Sequence, residues 1–311
     1  MVIDVFTHVY PKAYADFLTG LGLGSELRDF PGLRDPRVKI DLMDRHGIDM
    51  QVLTLSTPAL NLFGPDRLAS CREAARIAND GIAEIVAARP DRFTGAATLP
   101  MIDPAAAVDE FERAVVRAGL KGVQIFSHVG GKPLDDPEFF PLYEMISEHD
   151  VPVLLHPVGG DYNARTRDYM IWLTFGWPFE TSIAMARLVY GGVLERFPRL
   201  KIVAHHLGAF VPSLRGRILS ISANMEKSGR WKLPQPALSY FKRFYGDTAV
   251  YGHQGSLADG YDFFGPDRIV FGSDFPFAAM EEVLPAVVKW ELPPGDKGKI
   301  LAGNARRLFK L

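Results

Sequence analysis

Short apolar and β-branched runs alternate with longer amphipathic stretches along the whole chain, the pattern of repeated strand and helix units around a parallel sheet. About eight runs read as strands, at residues 2–5, 51–55, 93–99, 122–126, 151–156, 201–206, 245–250 and 269–274. Several, V-P-V-L-L and R-I-V-F-G among them, are almost wholly apolar, which suits strands covered on both faces. The helices between them carry their own punctuation. Asp103-Pro104 supplies an N-cap and a first-turn proline, Ala107, Phe111, Ala114, Val115 and Ala118 form one stripe, and Gly119 ends it. Residues 37–46 read the same way, with Ile40 and Met43 inward, Arg45-His46 in the last turn and Gly47 as the stop.

No linker, charge block or internal repeat divides the pattern, so residues 1–311 are expected to form a single domain, a (β/α)₈ TIM barrel. The stretches 11–36 and 159–178 lack strand character and each follows a strand end, where insertions act as lids or substrate walls. A chain of 311 residues fits one such barrel, and 47% hydrophobic against 23% charged residues argues against disorder. The net charge of −2 gives no electrostatic claim on nucleic acid. Cys71 stands alone and cannot form an internal disulfide; neither a basic leader with an apolar core nor an apolar run of about 18 residues occurs. A cytoplasmic protein with no membrane partner is expected.

Three strand ends carry groups that bind metals: I-D-V-F-T-H, ending at His8; L-L-H-P, with His156; and F-G-S-D-F-P, with Asp274. In a barrel these ends point to one mouth, and two imidazoles with a carboxylate hold a divalent ion with positions left open. His205 and His206 close strand six and add a general acid/base candidate. Alternation sends their side chains in opposite directions, so at most one faces the axis.

These motifs resemble the 2-amino-3-carboxymuconate-6-semialdehyde decarboxylase-like branch of the amidohydrolase superfamily. The resemblance spans nearly the whole chain, from I-D-V-F-T-H-V-Y-P-K through M-D-R-H-G-I-D-M-Q-V-L-T-L-S-T, P-D-R-F-T-G-A-A-T-L-P and G-V-Q-I-F-S-H to F-G-W-P-F-E-T, A-H-H-L-G-A-F, F-G-S-D-F-P-F and A-G-N-A. It implies a barrel with one divalent ion, zinc or manganese with zinc favoured, on His8, His156 and Asp274. It also implies that His205 is the catalytic histidine, with Asp274 assisting proton transfer, and that the protein is a homodimer in which Arg217, before Ile218, reaches the neighbouring subunit's substrate carboxylate. The pattern's first motif is His-x-His, or an acidic residue in the first place, and Phe6 stands there instead. Phenylalanine cannot ligate, so a coordination position is left to water or a substrate oxygen.

The resemblance points to nonoxidative decarboxylation of a small unsaturated or aromatic carboxylic acid. The same parts would serve hydrolysis of an ester, lactone or amide, and Phe6 leaves room for a third reading, a metal-free binding protein on a degenerate site. Arg28 and Arg34, in the loop after strand one, are carboxylate clamps or solvated surface charges. Trp172, Phe175 and Trp177 are an apolar wall or lid packing. His128 and His253, just past strands four and seven, are further substrate-contact candidates.

Overall fold

In the computed structural model, which describes residues 1–159, 166, 168–229 and 231–311, eight strands form one parallel sheet in chain order. They are β1 (Ile3–Val9), β2 (Met50–Leu55), β3 (Phe93–Thr98), β4 (Gly122–Phe126), β5 (Pro152–His156), β6 (Lys201–Ala204), β7 (Tyr245–Asp247) and β8 (Ile269–Val270). The sheet closes on itself: Val5 N donates to Phe271 O, Asp274 N to Phe6 O and His8 N to Phe275 O, each at 2.9 Å. This is the expected (β/α)₈ barrel.

Two apolar layers follow from strand alternation. Ile3, Val5, Val52, Ala96, Leu154, Val203, Tyr245 and Val270 form one cluster inside the barrel, together with Leu308 and Phe309 of the C-terminal helix. Residues of opposite parity, such as Leu53, Ala97, Val123, Val153 and Ile202, pack outward with the helices. Buried polar side chains tie the layers together. The Asn79 amide pairs with Thr98 N and O at 2.8 and 2.9 Å, and Asn304, of the A-G-N-A motif, donates to Ile269 O at 2.7 Å.

The helix ends fall where the capping residues place them. Asp35 caps Pro36–His46 by accepting from Arg37 N, and Gly47 ends that helix at φ 68°. Asp103 caps Pro104–Phe111 by accepting from Ala106 N, and the helix runs on through a π turn at Glu112–Arg117. The strands differ from expectation at their ends. β1 runs on to Val9, whereas β6 stops at Ala204 and β8 at Val270. His206, Leu207 and Asp274 have φ of 56°, 55° and 66°, a region that breaks the extended ladder. β1 also shifts register between Asp4 and Thr7, so Val5 packs in the interior apolar layer while Phe6 and His8 come within 4.8 Å of each other, ring to ring. Gly272 makes room for this, because a Cβ there would lie 3.0 Å from Phe6 Cβ and 2.9 Å from Asp247 Cβ.

Candidate active site

Asp274 is fixed by a buried carboxylate one strand away. Asp4, wholly buried, accepts from Ser273 N at 2.9 Å and Ser273 Oγ at 2.6 Å, which sets the turn that carries Asp274 toward the mouth. There Asp274 Oδ1 meets His8 Nε2 at 3.1 Å, while Oδ2 accepts from Tyr251 OH at 3.2 Å and lies 3.8 Å from His206 Nε2. Burial alone would raise the Asp274 pKa, but the His206 and His8 contacts outweigh it and hold the carboxyl ionised, far below its ordinary range.

The histidines divide by their partners. His8 Nδ1 lies 3.0 Å from Thr54 Oγ1, and burial lowers its pKa against the pull of Asp274, keeping the ring neutral. His156 Nδ1 donates to Pro157 O at 2.6 Å, which leaves the lone pair on Nε2. Burial, with the His8 and His205 charges adding, pushes His156 well below its ordinary value. The two rings stand edge to face, 5.2 Å apart. His206 behaves differently: burial would lower it, but its contact with Asp274 dominates and its pKa is raised.

Above this cluster lies a cavity of about 570 Å³ whose lining includes Leu173, Trp177, His206, Phe210 and Tyr251. Trp177 opens the helix Trp177–Tyr190 and is buried, its ring 5.6 Å from His156. The Arg28 guanidinium lies 4.8 Å from the Phe277 ring and 5.7 Å from that of Trp177. It has no carboxylate partner among the described residues, whereas the exposed Arg34 pairs with Asp29 at 3.9 Å. Phe277 in turn lies 5.5 Å from His8, so Arg28 is a cation held by aromatic rings beside the histidine cluster.

The structure thus brings His8, His156, Asp274 and Trp177 together. Phe6 lies among the imidazoles, 5.6 Å from both His156 and His206. His205, expected to be the catalytic imidazole, is instead wholly buried with Nδ1 on Asp247 Oδ2 at 2.5 Å and its ring stacked on Phe6. The chain leaves β6 just before it, and His206 takes the cavity-facing place. His128 sits apart: Nε2 meets Gly159 O, Nδ1 accepts from Gly131 N, and its ring lines a separate cavity beside Gln124 and Phe126. His253 caps the helix Gln254–Phe264 by accepting from Ser256 N. Arg217 is exposed on the helix Arg215–Lys227 and does not line this chain's cavity. Of the stretch expected to form a lid, residues 160–165 and 167 lie outside the described residues. Sequence reasoning missed Tyr251 and Phe277. An aromatic directly after the strand-eight Asp-Phe-Pro was a signal for Phe277, but nothing marked Tyr251.

Among the described residues no three His, Cys, Asp or Glu side chains are already gathered as ion ligands, and Asp274 and His8 are engaged with each other. No described helix is long and apolar enough to cross a membrane.

Comparison with known proteins agrees with this geometry. A family profile described as Amidohydrolase matches residues 3–311. Gamma-resorcylate decarboxylase of Polaromonas sp. (strain JS666) is 34% identical over 302 residues, covering 91% of each chain. The 2-amino-3-carboxymuconate-6-semialdehyde decarboxylase of Dictyostelium discoideum is 30% identical over 335 residues, covering 99% of this chain and 91% of that one. Among solved structures, a dihydroxybenzoic acid decarboxylase from Polaromonas sp. JS666, with bound manganese and the inhibitor 2-nitroresorcinol, superposes with a TM-score of 0.85 at 31% identity, covering 100% of this chain and 97% of that one. With the barrel, the histidine and aspartate cluster and these matches in place, the chain belongs to the amidohydrolase family, alongside its decarboxylase members.

Proposed function

We propose that this protein is a divalent-metal-dependent nonoxidative decarboxylase of an aromatic carboxylic acid. The observation that carries the reading is the convergence of His8, His156, His206 and Asp274 beneath an apolar cavity that has Arg28, a cation with no carboxylate partner among the described residues, beside it. Relatives named as decarboxylases of such acids support the substrate class.

The donor set fits a divalent ion in its chemistry. Burial lowers the His8 and His156 pKa values toward the neutral imidazole, the histidine contacts hold Asp274 toward the carboxylate, and the Nδ1 contact of His156 leaves its lone pair on Nε2. His8, His156 and Asp274 would hold the ion, in exchange for the His8–Asp274 hydrogen bond. Manganese, carried by the solved dihydroxybenzoic acid decarboxylase, and zinc both accept imidazole and carboxylate ligands. When bound, the ion supplies a Lewis acid that polarises a substrate oxygen.

The chain's own residues do the rest. Trp177, Leu173 and Phe210 hold an aromatic ring and exclude water, and Arg28 takes an anionic oxygen through charge-assisted bonds. Decarboxylation breaks the bond from ring to carboxylate, releases carbon dioxide and needs one proton delivered to the ring carbon. His206 suits that transfer, because its raised pKa favours the protonated imidazole and its Nε2 faces Asp274, which stabilises the charge. Tyr251, bonded to Asp274, keeps that carboxylate turned toward the site.

A homodimer belongs to the same reading. Phe179 and Ile183, one helical turn apart, are 53% and 43% exposed, and Leu219 and Ile221, beside Arg217, are 48% and 46% exposed. The helices that carry them are joined by the Tyr190–Ser222 hydrogen bond at 3.1 Å. Such a face suits a second copy, which would deliver Arg217 to its neighbour. Incubating manganese-loaded protein with a panel of hydroxylated benzoates, and resolving the products by chromatography, tests the function. Loss of one carboxyl group supports it; products of ester, lactone or amide cleavage on a parallel panel would support hydrolysis instead.

A further inference from the structure

One imidazole inside the barrel has no task in this chemistry. His205 and Asp247 are both wholly buried, and His205 Nδ1 lies 2.5 Å from Asp247 Oδ2. A carboxylate so placed keeps the proton on Nδ1 and leaves the lone pair on Nε2, the arrangement that orients a metal-ligating histidine. His205 Nε2 is buried and has no hydrogen-bond partner among the described residues. An acceptor stripped of water with nothing in return is destabilising, so its persistence calls for a bound water or cation.

The surroundings favour a cation. Phe6 lies flat on His205, ring centroids 3.5 Å apart and planes 10° from parallel, and edge-on to His8 at 4.8 Å. It covers one face of the His205 ring with carbon and offers no donor itself. The His156 ring, whose Nε2 carries the lone pair, stands 5.7 Å from His205 at 73°. That is close to the 5.2 Å between His8 and His156, so the His156 ring neighbours both His8 and His205 at similar distance. A side chain that cannot ligate on β1 is therefore paired with an oriented imidazole just past the end of β6.

We infer that His205 is a ligand of the divalent ion, the donor that Phe6 cannot be, with Asp247 as the carboxylate that orients it. The inference rests on the reading that His8, His156 and Asp274 hold that ion. Manganese(II) binding, measured by equilibrium dialysis and by pulsed electron paramagnetic resonance that counts coordinated imidazole nitrogens, tests both. The wild-type protein should bind one ion through three imidazoles. His205→Asn, whose amide can still donate to Asp247, should leave two imidazoles and weaken binding by at least the about 10–100-fold that loss of an outer partner costs, and Asp247→Asn should weaken it within that range. Adding Phe6→His to His205→Asn should return the count to three and recover affinity. Wild-type affinity in His205→Asn, or two imidazoles in the wild-type protein, would overturn the assignment and leave the three-ligand reading standing. No manganese binding by the wild-type protein would overturn both. Should His205→Asn fail the circular dichroism check of its fold, the wild-type nitrogen count and Asp247→Asn decide alone.

Discussion

Arg28→Ala removes the one cation that the structure presents beside the cavity without a carboxylate partner among the described residues. A hydrogen bond to a charged group contributes about 1.5–3 kcal/mol, and each 1.36 kcal/mol is tenfold, so loss of the clamp predicts a fall in kcat/KM of about 10–150-fold. The effect should sit mainly in KM, because Arg28 grips the substrate before and during the reaction and so contributes uniform binding. Arg28→Lys keeps the charge but loses the planar fork and much of its stacking on Phe277 and Trp177, 4.8 and 5.7 Å away. With about 0.5–1 kcal/mol per ring contact, it should fall several-fold and lie between the wild type and Arg28→Ala. Steady-state kinetics on one hydroxylated benzoate, following loss of the substrate's absorbance, reads all three proteins. An Arg28→Ala variant with unchanged KM, or a lysine variant as impaired as the alanine one, would refute the clamp.

Other substitutions test separate parts of the account. His206→Gln should lower kcat by about 10²–10⁴ with little change in KM, while circular dichroism stays unchanged; a kcat within a few-fold of wild type would return the proton-transfer role to another group. Lys39, wholly buried with Nζ unpartnered among the described residues, has its pKa pushed down by burial to about 7 against the pull of Asp4. The unfolded chain, with a lysine near 10.4, then binds more protons than the folded one above pH 7, so stability should rise with pH by about 1.4 kcal/mol per unit between pH 7 and 9. Asp4, raised by burial to about 7, acts with the opposite sign only below that pH. Urea unfolding of Lys39→Met should lack the rise, and parallel pH profiles for the two proteins would contradict the argument. Light scattering should return twice 34.5 kDa for the wild type and a single mass for Phe179→Glu with Leu219→Glu; a monomeric wild type would end the dimer reading.

Much of this was legible in the sequence because barrels expose strand ends at one mouth. His8, His156 and Asp274, separated by the length of the chain, could be placed together from topology alone. What stayed illegible turns on single backbone angles. Alternation showed that His205 and His206 diverge, but only the end of β6 at Ala204 and the φ of 56° at His206 decide which one meets Asp274. The register shift in β1 that packs Val5 in the interior layer beside Phe6 has no mark in I-D-V-F-T-H. Arg28 looked like any loop cation until Trp177 and Phe277, from two distant segments, came together around it. Tyr251 is similar: its φ of 52° and its reach to Asp274 depend on packing rather than on local pattern.

The central claim, that this barrel removes a carboxyl group from an aromatic acid, is tested most directly by isotope release. A hydroxylated benzoate labelled with ¹³C in its carboxyl group, incubated with manganese-loaded protein in a sealed vessel, should yield labelled carbon dioxide equal in amount to the decarboxylated phenol, and chelation should stop both. Acids across the hydroxybenzoate and muconate classes that are consumed with the label still attached to the product would contradict the account.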